Sequence, residues 1–205
     1  MKYNAKHVIF DLGGVILNLN YSNTRSAFEA LGLTNFDTIY SQANQSGLFD
    51  QFETGACSTP YFINHLLDFL PAGTTPNQVV AAWNAMILDF PIPQLELLER
   101  LKNSHRIFLL SNTNEIHLAA VQRALHRAVG HSDLDRYFEK AFYSHTLEKR
   151  KPHPETFQWV CDTVQIEPAD TLFIDDTLQH IEGAKKIGLQ THHLQPTESI
   201  LQLFS

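Results

Sequence analysis

An aspartate that directly follows an apolar segment is the first residue of this chain placed to do chemistry. Residues 7–10 (HVIF) have the character of a buried parallel strand, and Asp11 and two glycines come immediately after them. Ligands of open α/β sheets bind at the carboxyl ends of such strands. Because a buried charge is costly unless another group uses or pairs it, Asp11 is a candidate for catalysis or ligand binding.

Polar residues follow two further apolar segments in the same way. One segment ends in Ser111 and Asn112, and another ends in Asp175 and Asp176, with Lys151 in a loop between the two. If the three strand ends lie side by side, these residues line one crevice together with the first aspartate. The sequence therefore predicts a single polar site at one edge of a sheet.

This set of residues has the chemistry of phosphoryl transfer. A carboxylate such as Asp11 can attack phosphorus and form an acyl phosphate, which divides one difficult hydrolysis into two easier steps. The Ser111 hydroxyl, the Asn112 backbone N–H and the Lys151 ammonium would hold the phosphoryl oxygens and offset charge in the transition state. The two glycines after the aspartate would let the backbone approach the phosphate closely.

Three aspartates at one crevice predict a bound cation. Asp11, Asp175 and Asp176 would repel one another unless a hard cation lay among them, and Mg²⁺ prefers carboxylate and carbonyl oxygens. Each of the candidate residues alone has an ordinary explanation as a turn residue, a helix cap or a surface lysine. Their occurrence together, at the ends of successive apolar segments, favours the site.

The elements that must position these residues alternate between strands and helices. Strand candidates lie within residues 7–14, 106–114, 141–143, 171–179 and 191–194, and helical patterns cover residues 95–101 and 115–129. This alternation predicts an α/β fold with a parallel sheet.

The stretch from about residue 21 to residue 88 shows helical periodicity and turn signals but no comparable apolar strand. Helices are predicted over residues 23–31, 36–42, 59–70 and 76–86, the third of them capped by Ser58 or Thr59. We therefore expect a Rossmann-like core of residues 1–17 plus 91–205, with an all-helical cap of residues 18–90 inserted after the first strand.

The composition narrows the range of partners. The 205 residues are 43% hydrophobic and carry a formal net charge of -7, which argues against a nucleic-acid partner. The two cysteines lack metal-ligand spacing and fit a reducing compartment, and no apolar segment is long enough to cross a membrane. We expect a cytoplasmic protein, a monomer or weak dimer, that acts on a small molecule.

The chain resembles the haloacid dehalogenase superfamily, whose four motifs match Asp11, Ser111, Lys151 and the pair Asp175-Asp176, in order, over nearly the full length. More narrowly, FDLGGV at residues 10–15 and RKPHPE at residues 150–155 are similar to the bacterial glucose-1-phosphate phosphatase group and to the phosphatase domain of soluble epoxide hydrolases. The resemblance implies a Rossmann-like core with a helical cap, a phosphoaspartyl intermediate and Mg²⁺.

The same resemblance assigns roles to residues. Asp11 would be nucleophile and metal ligand, Gly13 would lend its carbonyl to the metal, and Asp176 would bind the metal with Asp175 beside or behind it. Most phosphatases of the superfamily have a second aspartate where this chain has Gly13, and loss of such an acid and base costs roughly 10²–10⁴ in rate. Glu53 of the cap is a candidate substitute and substrate contact.

Other residues of the cap are weaker candidates to face a substrate. They are Phe49, Thr54, Trp83 and Asn84, and packing is the more common role of the two aromatic residues.

The leading hypothesis is a Mg²⁺-dependent phosphatase of small phosphorylated metabolites, with sugar phosphates favoured by the resemblance. The first alternative is a metal-independent 2-haloacid dehalogenase, which likewise lacks the second aspartate. The paired acids at residues 175–176 argue against it, because without a cation they would repel a carboxylate substrate. The second alternative is a catalytically silent relative that binds a phosphorylated ligand or a protein partner.

Overall fold

The structure, a computed structural model, describes residues 3–33, 36 and 47–204. Within these residues, the strands of one parallel sheet are β1 (His7–Phe10), β2 (Arg106–Ser111), β3 (Lys140–Tyr143), β4 (Thr171–Asp175) and β5 (Gln190–His193). Their order across the sheet is β3-β2-β1-β4-β5, so β1 is the central strand. The predicted α/β class with a parallel sheet is confirmed.

The α-helices of the described residues are α1 (Tyr21–Ala30), α2 (Gly47–Glu53), α3 (Thr59–Leu67), α4 (Pro76–Trp83), α5 (Ile92–Leu101), α6 (Glu115–Val129), α7 (Ser144–Leu147), α8 (Pro154–Val164) and α9 (Leu178–Lys185). Short 3₁₀ helices cover Asn84–Met86, Asp135–Tyr137, Pro168–Asp170 and Ile200–Leu203. None of the helices in these ranges combines the length and the apolar character needed to cross a bilayer.

Helices cover both faces of the sheet, which is why its strands are almost continuously apolar. Val8 and Phe10 of β1 belong to a core cluster with α5 and α6, whereas Ile9 points to the opposite face and packs with α8 and α9. All three side chains are fully buried. A strand that is buried on both faces can end in a carboxylate only where a ligand or a partner group compensates the charge.

Local chemistry explains the helix ends that the sequence predicts well. The helix predicted over residues 115–129 is α6, which begins after its cap residue Asn114 and ends before Gly130 in the left-handed conformation. Of the two predicted caps of α3, the structure uses Ser58, and this helix ends at Leu67, about one turn earlier than predicted.

Other elements differ from the prediction. The helix predicted over residues 76–86 is α4 followed by a 3₁₀ turn, and α2, α7, α8 and α9 are helices that the sequence patterns did not single out. Apart from residue 36, the helix predicted over residues 36–42 lies outside the described part of the chain.

The helices α1 to α4 share a hydrophobic cluster separate from the two clusters of the sheet. Aromatic stacking holds this cluster together: the rings of Phe49 and Trp83 lie 5.1 Å apart and those of Phe52 and Phe62 lie 4.1 Å apart. Ile116 of α6 joins the same cluster, so these helices rest on the first turn of α6. The separate cluster supports the predicted division of the chain into core and cap. The boundaries between the two parts stay a prediction.

Candidate active site

The carboxyl ends of the three central strands bring the predicted residues together. Asp11 directly follows β1, Ser111 is the last residue of β2, and Asp175 is the last residue of β4. The three are 8%, 3% and 0% exposed. Because Phe10 pairs in register with residues of both neighbouring strands, the strand ends lie level and form one edge.

A buried lysine joins two of these strand ends. The Lys151 side chain is fully buried, and its Nζ donates hydrogen bonds of 2.7 Å to Asp11 Oδ1 and of 2.7 Å to Asp175 Oδ2. Burial by itself lowers the pKa of Lys151, but the two carboxylates outweigh this effect and raise that pKa above its ordinary value. The lysine therefore stays charged at neutral pH in spite of its burial.

The side chain of Asn112 fixes the loop that carries this lysine. Its Oδ1 accepts the Lys151 backbone N–H at 3.0 Å, and its Nδ2 donates to the Lys151 carbonyl at 2.9 Å. These two bonds join the end of β2 to a loop 39 residues away. The sequence predicts only a phosphate contact from the Asn112 backbone, so this positioning contact is an addition from the structure.

The three aspartates form a compact acidic cluster. Asp11, Asp175 and Asp176 each place a carboxylate oxygen within 4.8 Å of the other two. Burial raises the pKa of Asp11, and the charges of the other two aspartates add to this rise against the opposing effect of the lysine. Burial also raises the pKa of Asp176, and the charge of Asp175 adds to that rise. A cation among these oxygens would remove the cost of holding them together as carboxylates.

Asp175 differs from its two neighbours because both of its oxygens already accept hydrogen bonds. Oδ1 accepts the Thr177 backbone N–H at 2.8 Å, and Oδ2 accepts Lys151 at 2.7 Å and His180 Nδ1 at 3.0 Å. Although burial raises the pKa of Asp175, the charge of Lys151 and the bond from His180 lower it below its ordinary value. This carboxylate is therefore held ionised beneath the crevice.

Two glycines after Asp11 are required by close approaches. Gly14 has φ +72°, and a Cβ on it would lie 2.1 Å from Asp176 Oδ2. A Cβ on Gly13 would lie 2.4 Å from Leu19 Cδ1, so this leucine fills the space that a longer residue at position 13 would enter. Gly14 thus allows the acidic cluster, and Gly13 allows the apolar side chain of Leu19 to lie close to the turn after Asp11.

One cavity between the sheet edge and the cap contains these groups. The predicted site residues that line it are Asp11, Gly13, Glu53, Ser111, Asn112, Lys151 and Asp176, whereas Asp175 lies behind them. The weaker cap candidates Phe49, Thr54, Trp83 and Asn84 do not line it. Phe49 and Trp83 are each 2% exposed in the cap cluster, as expected of packing residues.

Sequence reasoning missed several residues of the cavity wall. Arg150 is the most consequential, because its Nη2 lies 3.2 Å from Glu53 Oε2 and its Nη1 contacts Asp50 Oδ1. His117 also lines the wall: it donates from Nε2 to the Trp83 carbonyl at 3.0 Å, and burial lowers its pKa to about 4. The signals for them in the sequence were the motif RKPHPE, which contains Arg150, and the place of His117 close behind Ser111 and Asn112, in the first turn of α6.

The central strands of this parallel sheet end, under a helical cap, in a buried carboxylate–lysine pair and an acidic cluster. This arrangement defines an α/β enzyme with an aspartate-centred site. Residues 5–188 match the family described as haloacid dehalogenase-like hydrolase. The chain belongs to this family of hydrolases, which confirms the resemblance drawn from its motifs.

Individual relatives agree with this assignment. The chain is 30% identical to D-ribitol-5-phosphate phosphatase of Bacteroides thetaiotaomicron over 91% of its own length and 90% of that protein. It is also similar to a crystal structure of an HAD family enzyme from the same species, an aspartate-to-alanine mutant in complex with magnesium and inorganic phosphate. The TM-score is 0.91 and the sequence identity 30%, and the match covers 98% of this chain and 99% of the other. The chain is also 31% identical to (S)-2-haloacid dehalogenase 4A of Burkholderia cepacia, over 47% of this chain and 39% of that protein.

Proposed function

We propose that this chain is a Mg²⁺-dependent phosphatase that hydrolyses small phosphorylated metabolites through a phosphoaspartyl intermediate on Asp11. The observation that carries the proposal is the buried Lys151, which bridges Asp11 and Asp175 beside the acidic cluster. The ammonium group of Lys151, fixed next to a strand-end carboxylate, serves to bind an anion. A phosphoryl group carries the negative charge that this arrangement can offset.

In the first step, a carboxylate oxygen of Asp11 attacks phosphorus, and the bond from phosphorus to the ester oxygen breaks. The leaving alkoxide takes a proton from solvent water and departs as an alcohol. In the second step, water attacks the acyl phosphate, which releases inorganic phosphate and restores the carboxylate. Lys151 and the hydroxyl of Ser111 stabilise the phosphoryl oxygens in both steps because both groups line the cavity at the strand ends.

The residues present fit a magnesium ion. We propose that Asp11 and Asp176 hold it by their side chains and Gly13 by its carbonyl, because the hard ion prefers oxygen ligands and the acidic cluster supplies them. Both oxygens of Asp175 are engaged, so we assign this residue to holding Lys151 and His180. When bound, the ion would neutralise the carboxylates and the phosphoryl oxygens.

Sugar phosphates and polyol phosphates are the substrates that we favour. The relative that this chain matches over 91% of its length is named for D-ribitol 5-phosphate. The dehalogenase alternative is weaker, because the matching dehalogenase shares 39% of its length with this chain. In addition, an acidic cluster without a cation would oppose entry of a haloacid carboxylate.

We further propose that the protein acts in the cytoplasm on small molecules, as a monomer or weak dimer without nucleic-acid or membrane partners. The free thiols Cys57 and Cys161 and the net charge of -7 support these parts of the proposal.

Release of phosphate from a generic aryl phosphate tests the function. We expect activity with Mg²⁺, none after EDTA, and none in Asp11→Asn. Asp170→Asn is the matched control, because Asp170 also pairs with a lysine, at 2.6 Å, but does so on the surface. Activity of the Asp11→Asn variant, or in EDTA, would contradict the mechanism. Chloride release from a 2-haloacid in EDTA would favour the dehalogenase, and a ligand that raises the Tm without turnover would favour the silent relative.

A further inference from the structure

The cavity holds a second set of charges at its cap side, apart from the phosphoryl site. Arg150 precedes the buried Lys151, and its guanidinium lies 3.2 Å from the carboxylate of Glu53, which α2 contributes from the cap. Both side chains line the same cavity as Asp11 and are only 13% and 14% exposed. Asp50, 56% exposed, contacts the same guanidinium from the solvent side.

This pairing decides which charge the cavity offers to a leaving group. An arginine alone at that wall would bind a carboxylate or a second phosphate with two parallel hydrogen bonds. Glu53 already occupies that guanidinium and adds a negative charge that faces the same space. An anionic leaving group would therefore have to displace Glu53 or lie beside it.

One part of the remaining cavity wall is apolar. It is formed by the residues that connect core and cap, Leu17, Leu19, Met86 and Ile87, together with Val121 of α6. Leu19 and Ile87 form a backbone bridge, so this wall is continuous. A hydroxylated carbon chain suits such a space, because its C–H groups contact the leucines while its hydroxyls donate to Glu53.

We propose, on the basis of the proposed phosphatase function, that Glu53 makes this enzyme selective for monophosphates with an uncharged, hydroxylated leaving group. It does so by adding a second carboxylate to Arg150, beside that of Asp50, so that this wall of the cavity does not offer an uncompensated cation to a leaving group with a carboxylate or a second phosphate. Glu53 is thus a specificity-determining residue that acts on the charge of the leaving group.

Substrate pairs that differ in one charge test this inference. Glycerol 3-phosphate and 3-phosphoglycerate differ only in the end of the chain away from the phosphate, and glucitol 6-phosphate and 6-phosphogluconate, both open chains, make a second pair. The wild-type enzyme should show the higher kcat/KM with the uncharged member of each pair. Glu53→Gln should shift the ratio toward the anionic member by about 10- to 100-fold, since it removes the carboxylate that faces the cavity and leaves Arg150 paired with the more exposed Asp50 on the solvent side.

Two further variants separate this effect from general damage to the cap. In the double variant Glu53→Gln/Arg150→Gln the preference for uncharged substrates should return, because the attracting cation is gone. Asp50→Asn removes a carboxylate from the same guanidinium on the solvent side and should change the ratio by less than about threefold.

Each outcome has one meaning. Equal losses with both members of each pair in Glu53→Gln, or a wild-type preference for the anionic members, would overturn the inference. An equally large shift in Asp50→Asn would also overturn it, because the effect would then not be local to the cavity. If the wild type releases phosphate from none of the four substrates and from no aryl phosphate, the proposed function itself has failed.

Discussion

Gly14→Ala offers a direct test of the acidic cluster, because the added methyl group would enter the space of one of its carboxylates. The Cβ would lie 2.1 Å from Asp176 Oδ2 and 2.7 Å from Asp176 Cγ, so the whole carboxylate has to turn away. The backbone at this position has φ +72°, which an alanine adopts only at a cost. The substitution therefore strains the turn and moves a proposed metal ligand.

The two effects differ in size and can be separated. The left-handed backbone costs about 1 kcal/mol of folding free energy in any alanine variant of this kind. Displacing a carboxylate at a metal site typically weakens metal binding by about 10- to 100-fold, which corresponds to roughly 1.4 to 2.7 kcal/mol. Gly130→Ala provides the matched control, since Gly130 has φ +80° but a Cβ added there would meet no atom of the described residues within 4 Å.

The assay combines urea unfolding in EDTA with a Mg²⁺ titration of phosphatase activity. Gly130→Ala should lose about 1 kcal/mol of unfolding free energy from the backbone alone, and Gly14→Ala should lose more, because its methyl group also displaces the Asp176 carboxylate. Only Gly14→Ala should need a Mg²⁺ concentration about 10- to 100-fold higher for half-maximal activity. An unchanged Mg²⁺ requirement in Gly14→Ala, or an equal change in Gly130→Ala, would refute the assignment of Asp176 as a ligand.

Two further predictions concern residues that position the site. Asn112→Ala should lower kcat about 10- to 100-fold, because it removes both hydrogen bonds that hold the Lys151 backbone. Ser144→Ala is the control: it loses two similar hydrogen bonds, to the backbone of Thr113, and should lose about as much stability but keep its kcat. Equal losses of kcat in the two variants would contradict the positioning role of Asn112. Burial lowers the pKa of His117 to about 4 from an unfolded value of 6.5, so its contribution to stability is complete above pH 6.5 and decreases as the pH falls toward 4. Unfolding free energies measured at pH 7.5 and pH 5 should therefore differ by about 2 kcal/mol less in His117→Gln than in the wild type, and exposed His126→Gln should behave as the wild type does.

The strand ends of the site are predictable because their signals are local. An apolar segment that ends in a carboxylate or hydroxyl marks Asp11, Ser111 and Asp175 without knowledge of any distant contact. Lys151 lies 140 residues from Asp11, so no local pattern joins them, and the resemblance of the motifs supplied the connection. Local periodicity and capping likewise explain why the bounds of α6 are predicted correctly.

The parts that sequence reasoning missed depend on contacts between distant segments. The ion pair between Arg150 and Glu53 joins a core loop to a cap helix that has no strong periodic signal of its own. The side chain of Asn112 holds a backbone 39 residues away, and an asparagine in a loop has many equally reasonable local uses. Such contacts follow from how the cap rests on the core, which no single segment encodes.

Gly13 stands where most phosphatases of this superfamily have a second aspartate, and an apolar side chain lies next to it. Leu19 occupies the space beside Gly13, 2.4 Å from where a Cβ would lie, and belongs to the apolar part of the cavity wall. An aspartate at position 13 would require the end of the Leu19 side chain to move. The site has no fixed proton donor at position 13 and has an apolar surface beside it that fits a hydroxylated carbon chain. The missing acid and the apolar part of the proposed selectivity therefore involve the same two residues, Gly13 and Leu19.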